Sequence, residues 1–293
     1  MKYLVTGGSG QVGFDVVQEL IARYGSDAEI YVPTHAEMDI VNEEETYLYI
    51  KSVSPDVIFH CAAYTRVDDA EKDCKTCFDI NVNGTKNIVK VAEEVGSKLI
   101  YVSTDYVFDG TKHLYKVDDE AHPINVYGET KLLGEQIVEE YEKHFIVRTS
   151  WVFGNHGNSN FIKTMLRLAE TRKEVTVVSD QVGSPTYSKD LARLLVDLSE
   201  TNKYGKYHGS NEGYTSWYDF AKYIFEEARM EMNVLPIKTE DYKTDARRPL
   251  NTCLDKSSVT DAGFELLPKW EDAVNRYLGE SLKNNKDLRK KVQ

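Results

Sequence analysis

Short apolar runs alternate with amphipathic stretches over the first half of the chain. This alternation is typical of a parallel sheet with helices on both faces, because each strand is then buried on both sides. Helices are predicted at 12–24, 43–52, 69–95 and 127–142. The runs that predict strands are KYLVTG, EIYVP, DVIFHCAA, KLIYVST and HFIVRTSWVFG. The pattern therefore predicts an α/β fold with a Rossmann-type doubly wound sheet, whose ligands bind at the carboxyl ends of the strands.

The second half of the chain is less regular. We predict a helix at 161–171, a strand in EVTVVSD, and further helices in SPTYSKDLARLLVDLSE and SWYDFAKYIFEEARM. No Ser/Gly-rich linker separates the two halves. We therefore expect a larger domain at 1–150, a smaller and interleaved C-terminal substrate lobe at 151–280, and a polar tail at 281–293.

Composition narrows the classes of partner. The formal net charge is −12, which argues against binding to the phosphate backbone of nucleic acids. No apolar stretch is long enough to span a membrane, and the N-terminus lacks the pattern of a secretory signal, so we expect a cytoplasmic protein. Cys74 and Cys77 form a C-x-x-C pair, but no second pair of zinc ligands lies nearby. Ordinary reduced thiols are therefore the expected state of these two cysteines.

A glycine-rich loop follows the first predicted strand. Gly7, Gly10 and Gly13 form a G-x-x-G-x-x-G between a strand and a helix, where the backbone can approach a pyrophosphate at the helix N-terminus. The loop predicts that residues 1–150 bind NAD(P). No acid directly follows the second strand, since Glu37 and Asp39 come later. The choice between NADPH and NADH therefore stays open.

A second motif supplies acid chemistry. Tyr127 and Lys131 are four residues apart, so both side chains project from the same face of the predicted helix. A nearby ammonium favours the phenolate and would lower the pKa of the tyrosine, which could then give its proton to a carbonyl oxygen. Ser103 and Thr104 end the fourth strand, where a hydroxyl could share that hydrogen bond.

These motifs together resemble the extended short-chain dehydrogenases/reductases, and within them the family of dTDP-4-dehydrorhamnose reductases. The resemblance spans nearly the whole chain, and STDYVFDG together with RTSWVFG is its most specific part. The other similar segments are GGSGQVG, CAAYTRVDDAEKD, NVYGETKLLGE, DQVGSPT and RRPLNTCLD. The activity implied is NAD(P)H-dependent reduction of the C4 keto group of dTDP-4-dehydro-β-L-rhamnose to dTDP-β-L-rhamnose.

The resemblance also implies roles for individual residues. Tyr127 would be the proton donor, with Lys131 and Thr104 as its partners. Thr104, Asp105 and Trp151 would contact the sugar. The residues implied at the cofactor are Gly7, Gly10, Gln11, Val12, Gly13, Asp39, Ile40, Ala62, Ala63, Tyr64 and Thr65, with Tyr127 and Lys131.

The nucleotide diphosphate of such a substrate suits arginine, which binds phosphate through two prongs. Arg247 and Arg248 are the candidates. Relatives often have arginine where this chain has Cys253, which puts one expected polar contact in doubt. Some relatives are described as using magnesium, but no acids for such a site can be identified here. We therefore expect no catalytic metal, and hydride transfer itself needs none.

Three alternatives remain at this point. A dehydratase of the same fold usually has an Asp-Glu pair after the strand-four threonine, whereas Tyr106 follows Asp105 here. An epimerase or a reductase of another nucleotide sugar fits STDYVFDG less well. A non-catalytic, NADP-binding regulatory subunit would not need Tyr127. The sequence leaves open the C4 stereochemistry, the nucleotide base, any magnesium requirement, and whether the chain is a monomer or a homodimer.

Overall fold

The computed structural model describes residues 1–284. Its first four tail residues, 281–284, continue the last helix, and the remainder of the predicted polar tail, 285–293, lies outside the described residues. The strands are β1 Lys2–Thr6, β2 Glu29–Tyr31, β3 Val57–His60, β4 Lys98–Thr104, β5 His144–Thr149, β6 Val152–Phe153, β7 Glu174–Val178, β8 Val182–Gly183, β9 Thr186–Tyr187, β10 Gly205–His208, β11 Thr215–Ser216 and β12 Asn233–Ile237.

The main sheet has six parallel strands in the order β2-β1-β3-β4-β5-β10. The chain winds outward from β1 to β2 on one side and from β3 to β5 on the other, so the order reverses between β1 and β3. In a doubly wound sheet the ligand crevice opens at this reversal. The predicted fold class is therefore confirmed.

The helices occupy most of the predicted positions. They are α1 Gln11–Tyr24, α2 Glu43–Val53, α3 Val67–Lys72, α4 Cys74–Phe78, α5 Thr85–Val95, α6 Val126–Glu139, α7 Phe161–Ala169, α8 Ser188–Ser199, α9 Trp217–Glu227, α10 Ser257–Asp261 and α11 Trp270–Asn284. The long helical region predicted at 69–95 is divided into α3, α4, a π-helical turn at Asp79–Gly84, and α5. None of the helices within residues 1–284 is long and apolar enough to cross a bilayer.

Apolar side chains cover both faces of the main sheet, and one of these layers includes a helix from the second half of the chain. Val16 and Leu20 of α1 pack with Leu191 and Leu195 of α8 on the same face. Strand β10 also comes from the second half and pairs with β5. A separate apolar cluster joins α7, α9 and α11. The division at residue 150 stays a prediction, since two elements beyond it complete the main sheet and its cover.

Candidate active site

The loop between β1 and α1 is closely packed around its glycines. Gly7 has a φ of 67°, and a Cβ on it would lie 2.7 Å from the backbone nitrogen of Ala62. A Cβ on Gly13 would lie 2.4 Å from the carbonyl oxygen of Gly7. No side chain caps the N-terminus of α1 at Gly10. A tight backbone loop and an uncapped helix N-terminus fit a pyrophosphate, so these residues suit a dinucleotide cofactor.

A cleft of about 980 Å³ extends from this loop along the carboxyl ends of β1, β3 and β4. It contains nearly all the residues that the resemblance implied for the cofactor. Those on its wall are Gly7, Gly10, Gln11, Val12, Gly13, Asp39, Ile40, Ala62, Ala63, Thr65, Tyr127 and Lys131. The exception is Tyr64, which does not line the cleft. Both Tyr64 backbone groups instead bond to the side chain of Asn81, at 2.8 and 3.2 Å.

The adenosine end of the cleft has no acid at the end of β2. Thr34 and His35 lie on the wall there. The Glu37 carboxylate accepts hydrogen bonds from the backbone nitrogen and the hydroxyl of Thr34, both at 2.8 Å. These bonds stabilise a local turn. Glu37 does not line the cleft, so its carboxylate repels neither NADH nor NADPH, and Asp39 is the acid that lies on the wall there.

The second half of the chain closes the same cleft near the glycine loop. Asn160 lies on the wall, and its side-chain nitrogen donates to Gln11 and to the carbonyl of Gly154, both at 2.9 Å. Nothing in the sequence pattern indicated this contact, because Gln11 and Asn160 are far apart in the chain. The cleft is thus built from both halves.

Tyr127 sits in the first turn of α6, which Asn125 caps by accepting from the backbone nitrogen of Gly128 at 2.8 Å. A Cβ on Gly128 would lie 2.1 Å from the carbonyl oxygen of Tyr106, so the helix packs directly on the backbone after β4. Burial raises the pKa of Tyr127 well above its usual value, and a hydrogen bond with Thr104 only partly opposes that rise. The phenol therefore keeps its proton at neutral pH.

Lys131 lies one turn along α6 and lines the cleft. Its ammonium donates to the carbonyl of Val102 at 2.8 Å and lies 3.9 Å from the centre of the Tyr101 ring. Burial lowers the pKa of Lys131 to about 7. The sequence predicted that this lysine would lower the pKa of Tyr127. In the structure burial dominates the phenol and the pKa shifts upward.

The two hydroxyls at the end of β4 have different partners. Ser103 donates to Glu135 of α6 at 2.5 Å, inside a buried ion pair with Arg148. Thr104 instead donates to Asp105 at 3.1 Å and contacts Tyr127. Successive side chains of a strand project to opposite faces, which separates the two. Only Thr104 is available beside the phenol.

Asp105 is buried, with 2% of its surface exposed, and lines the cleft next to Thr104. Ser150 donates to its carboxylate at 2.9 Å. Burial raises the pKa of Asp105 to about 6, although hydrogen bonds from Thr252, Ser150 and Thr104 oppose the rise. The carboxylate is ionised at neutral pH at a cost in stability.

We expect Asp105→Asn to stabilise the protein near pH 7 and to have little effect near pH 4. The folded carboxyl has a pKa of about 6 and the unfolded one about 3.8, so the folded state binds more protons between these values. Stability is therefore lost as pH rises through that window, on the order of 2 to 3 kcal/mol. Urea unfolding of both proteins at the two pH values measures the difference. A stability difference between the two proteins that is the same at both pH values would contradict the raised pKa of Asp105.

Two indoles also lie on the wall of the cleft. Trp151, which the resemblance implied as a sugar contact, follows β5, and Trp217 begins α9. Their ring centres lie 3.5 Å apart and the planes differ by 8°. Trp217 was not singled out in the sequence, where SWYDFAKYIF reads only as the start of an amphipathic helix.

The two arginines predicted for the diphosphate do not line the cleft. Arg247 is exposed. Arg248 makes a two-pronged ion pair with Asp68 of α3, at 2.9 and 2.7 Å. Its guanidinium also contacts Tyr106, which does line the cleft. Arg248 thus joins a C-terminal segment to α3 at the edge of the site.

Two further features concern metals and cysteines. Within residues 1–284 no group of three or more His, Cys, Asp or Glu side chains is arranged to hold a metal ion. The expectation that catalysis needs no metal stays a prediction. Cys61, Cys74, Cys77 and Cys253 are all free thiols, and Cys61 lines the cleft.

The sequence matches the family model of the RmlD substrate binding domain over residues 1–283. A dTDP-4-dehydrorhamnose reductase from Aggregatibacter actinomycetemcomitans is 42% identical over 290 residues, which cover 93% of this chain and 97% of the relative. The spore coat polysaccharide biosynthesis protein SpsK of Bacillus subtilis (strain 168) is 39% identical over 283 residues, covering 95% of this chain and 97% of SpsK.

A solved structure is similar along the same length. The dTDP-4-dehydrorhamnose reductase of Bacillus anthracis str. Ames, crystallised in complex with NADP, superposes with a TM-score of 0.92 at 42% identity. The superposition covers 95% of this chain and 99% of the crystallised one. The likeness therefore includes both the main sheet and the smaller lobe.

Proposed function

Because the chain belongs to the family of the RmlD substrate binding domain, we propose that it is an NAD(P)H-dependent oxidoreductase. It reduces the C4 keto group of dTDP-4-dehydro-β-L-rhamnose to give dTDP-β-L-rhamnose, a precursor for polysaccharide. The observation that carries this proposal is the presence of Tyr127, Thr104 and a dinucleotide loop on the wall of one cleft. Full-length relatives named for this reaction support it.

The glycine loop from Gly7 to Gly13 would hold the pyrophosphate of the cofactor, with Gln11 and Val12 at the start of α1. Asp39 and Ile40 would border the adenosine end, and Ala62, Ala63 and Thr65 the middle of the dinucleotide. The bound nicotinamide supplies the hydride. Either NADPH or NADH fits the wall as described, and the relative from Bacillus anthracis was crystallised with NADP.

Tyr127 would donate the proton that the sugar oxygen needs when hydride reaches C4. Its raised pKa keeps the phenol protonated until charge develops on that oxygen. Thr104 would share the hydrogen bond to the same oxygen. The Lys131 ammonium, already bonded to the Val102 carbonyl, would steady the phenolate left behind and hold the cofactor ribose.

Asp105 and Trp151 would bind the sugar on the far side of the carbonyl. The Asp105 carboxylate can accept from a sugar hydroxyl, and the Trp151 indole offers a flat apolar wall to a deoxysugar. Exposed Arg247 remains the candidate for the diphosphate. Arg248 could take part only by sharing its guanidinium with Asp68.

The alternative of a non-catalytic regulatory subunit makes a different prediction for the same cleft. Such a protein would bind NADP and a partner enzyme without needing a buried, protonated phenol beside a sugar pocket. The contact between Tyr127 and Thr104 on the cleft wall suits proton transfer, which supports the reductase. A 4,6-dehydratase would need a second acid after Asp105, where Tyr106 stands.

We expect rapid oxidation of the cofactor when purified protein is mixed with dTDP-4-dehydro-L-rhamnose made in situ. The decrease in nicotinamide absorbance, followed with NADH and NADPH in parallel, gives the rate and the preferred cofactor, and chromatography against dTDP-L-rhamnose identifies the product. A protein that binds NADP⁺ but oxidises neither cofactor would contradict the proposal and favour the regulatory subunit. A dTDP-L-talose product would keep the reductase and correct the stereochemistry.

The remaining parts of the proposal concern the protein in the cell. We propose a cytoplasmic location, which suits four free thiols. The chain would act as a monomer or a homodimer without a catalytic metal.

A further inference from the structure

Trp151 adopts a backbone conformation that non-glycine residues rarely have. Its φ is 46°, in the left-handed region, where a side chain is unfavourable. Such a conformation persists only when its surroundings hold it in place, and it often occurs at ligand sites. The indole that it directs lines the cleft.

Two other residues pack closely on this indole. A Cβ on Gly183 would lie 2.7 Å from Cε2 of the indole and 2.8 Å from Nε1, so only glycine permits the approach. Trp217 stacks in parallel on the ring, with 3.5 Å between the centres. The Trp151 ring is therefore fixed by two contacts, and Gly183 and Trp217 form a clamp on it.

One small element carries both parts of the clamp. Strands β8 and β11 are antiparallel, with Gly183 opposite Thr215 and Val182 opposite Ser216. Ser216 then caps α9 by accepting from the backbone nitrogen of Asp219 at 3.0 Å. Trp217 is the next residue after this pairing, so its position follows from the same ladder that positions Gly183.

Trp217 has further aromatic support and also lines the cleft. The Phe161 ring lies 4.5 Å from it, centre to centre. Trp217 itself is half-buried and lies on the cleft wall together with Trp151. Its indole thus has two aromatic partners and is still accessible from the cleft.

We propose that Trp217 is a sugar-positioning residue, which holds the Trp151 indole in its left-handed backbone position and extends the apolar wall against the 6-deoxysugar. The proposal rests on the reductase function proposed above, and it deepens that function by assigning the sugar subsite to α9. The methyl group and apolar face of a deoxysugar are the chemistry that the apolar surface of two stacked indoles recognises.

The kinetic test uses Trp217→Phe and Trp217→Ala, with Trp270→Phe as the matched control. Trp270 belongs to the same apolar cluster but does not line the cleft. We expect Trp217→Ala to raise the KM for the keto sugar by about tenfold, as for loss of a buried aromatic contact, and Trp217→Phe to raise it less. The affinity for NADPH should stay within about twofold in all three.

A second variant changes the other contact with the same indole. Gly183→Ala retains Trp217 but forces the Trp151 ring to move, because the added Cβ would overlap it. It should raise the sugar KM in the same way and leave NADPH affinity unchanged. An unchanged sugar KM in Trp217→Ala would overturn the proposal. An equal rise of the sugar KM in Trp270→Phe would also overturn it, because a purely structural role would affect both tryptophans of the cluster alike.

A spectroscopic test separates this inference from the reductase function. The near-ultraviolet circular dichroism of tryptophan reports on the packing of the two indoles, so Trp217→Phe should change it strongly and Trp270→Phe should change it less. Adding dTDP-L-rhamnose to the wild-type protein with NADP⁺ should perturb the signal, whether or not the protein turns over. If the wild-type protein shows this perturbation but no turnover, the result would contradict the reductase function and would still support the role of Trp217 in sugar binding. Binding of dTDP-L-rhamnose without any perturbation would overturn the role of Trp217.

Discussion

Replacing Tyr127 by phenylalanine should lower kcat by ~10²-fold or more and leave the affinity for NADP⁺ nearly unchanged. The ring keeps its packing, including the edge-on contact with Tyr106 at 5.9 Å between ring centres. The variant removes only the proton that burial holds on the phenol. Thr104 retains its bond to Asp105 and cannot replace that acid, because an aliphatic hydroxyl is a weaker proton donor than a phenol.

The measurement pairs steady-state kinetics with a titration of NADP⁺. Tyr141→Phe is a matched control, since it also removes one buried phenol hydroxyl, which donates to the carbonyl of Ser97 at 2.6 Å far from the cleft. The control should keep its turnover at a temperature where it stays folded. Wild-type turnover in Tyr127→Phe would remove Tyr127 from the mechanism and leave the proton to another group, such as Lys131 or a solvent molecule.

Much of the main sheet could be predicted because each strand is long enough to show its pattern. β1, β3, β4 and β5 are nearly continuous apolar runs, as expected of strands buried on both faces. Strand β10 gave no such signal, since Gly205–His208 is short and mixed in polarity. Its place at the sheet edge depends on pairing with β5, which is a tertiary contact.

The helical region after β3 shows a different limit. Apolar and polar positions alternate in a helical pattern from 69 to 95, but the backbone breaks after Lys72 and widens at Asp79–Gly84. There Asn81 bonds to Tyr64 and to Thr130 of α6, the latter at 3.0 Å. The hydrogen-bonding groups of the buried Asn81 side chain have partners where the helix geometry changes locally. The spacing of apolar positions along the sequence does not reveal such a change.

Within the site, motif spacing identified the residues whose positions depend on one element. Tyr127 and Lys131 share a helix, and the glycine loop is a single turn, so their arrangement follows from local structure. The partners of Arg247 and Arg248 could not be predicted in this way, because the sequence does not show which groups two neighbouring arginines contact. Arg248 contacts Asp68, which lies 180 residues away. Trp217 was missed for the same reason, since its partner Trp151 lies on another segment.

The buried ion pair between Glu135 and Arg148 should be the most sensitive point in the fold around α6. The two side chains are 0% and 2% exposed, and Arg148 Nη2 lies 2.7 Å from a carboxylate oxygen of Glu135. Ser103 and the carbonyl of Val117 complete the network. The pair fastens α6, which carries Tyr127, to β5, the strand next to the edge strand β10 of the main sheet. The apolar strand HFIVRTS contains this arginine, but the sequence could not show its partner.

We expect Arg148→Met to lower the free energy of unfolding by about 3–5 kcal/mol, because it leaves the Glu135 carboxylate buried without a counter-charge. The double variant Arg148→Met with Glu135→Leu should recover a large part of that loss, since it removes the orphaned charge as well. Urea unfolding of the single and double variants measures both effects. Lys206→Met is the control, because Lys206 pairs with Glu139 of the same helix at 2.6 Å but at 28% and 40% exposure. It should cost at most about 1 kcal/mol. A single variant as stable as the control, or a double variant no better than Arg148→Met, would show that the network does not hold α6 in place.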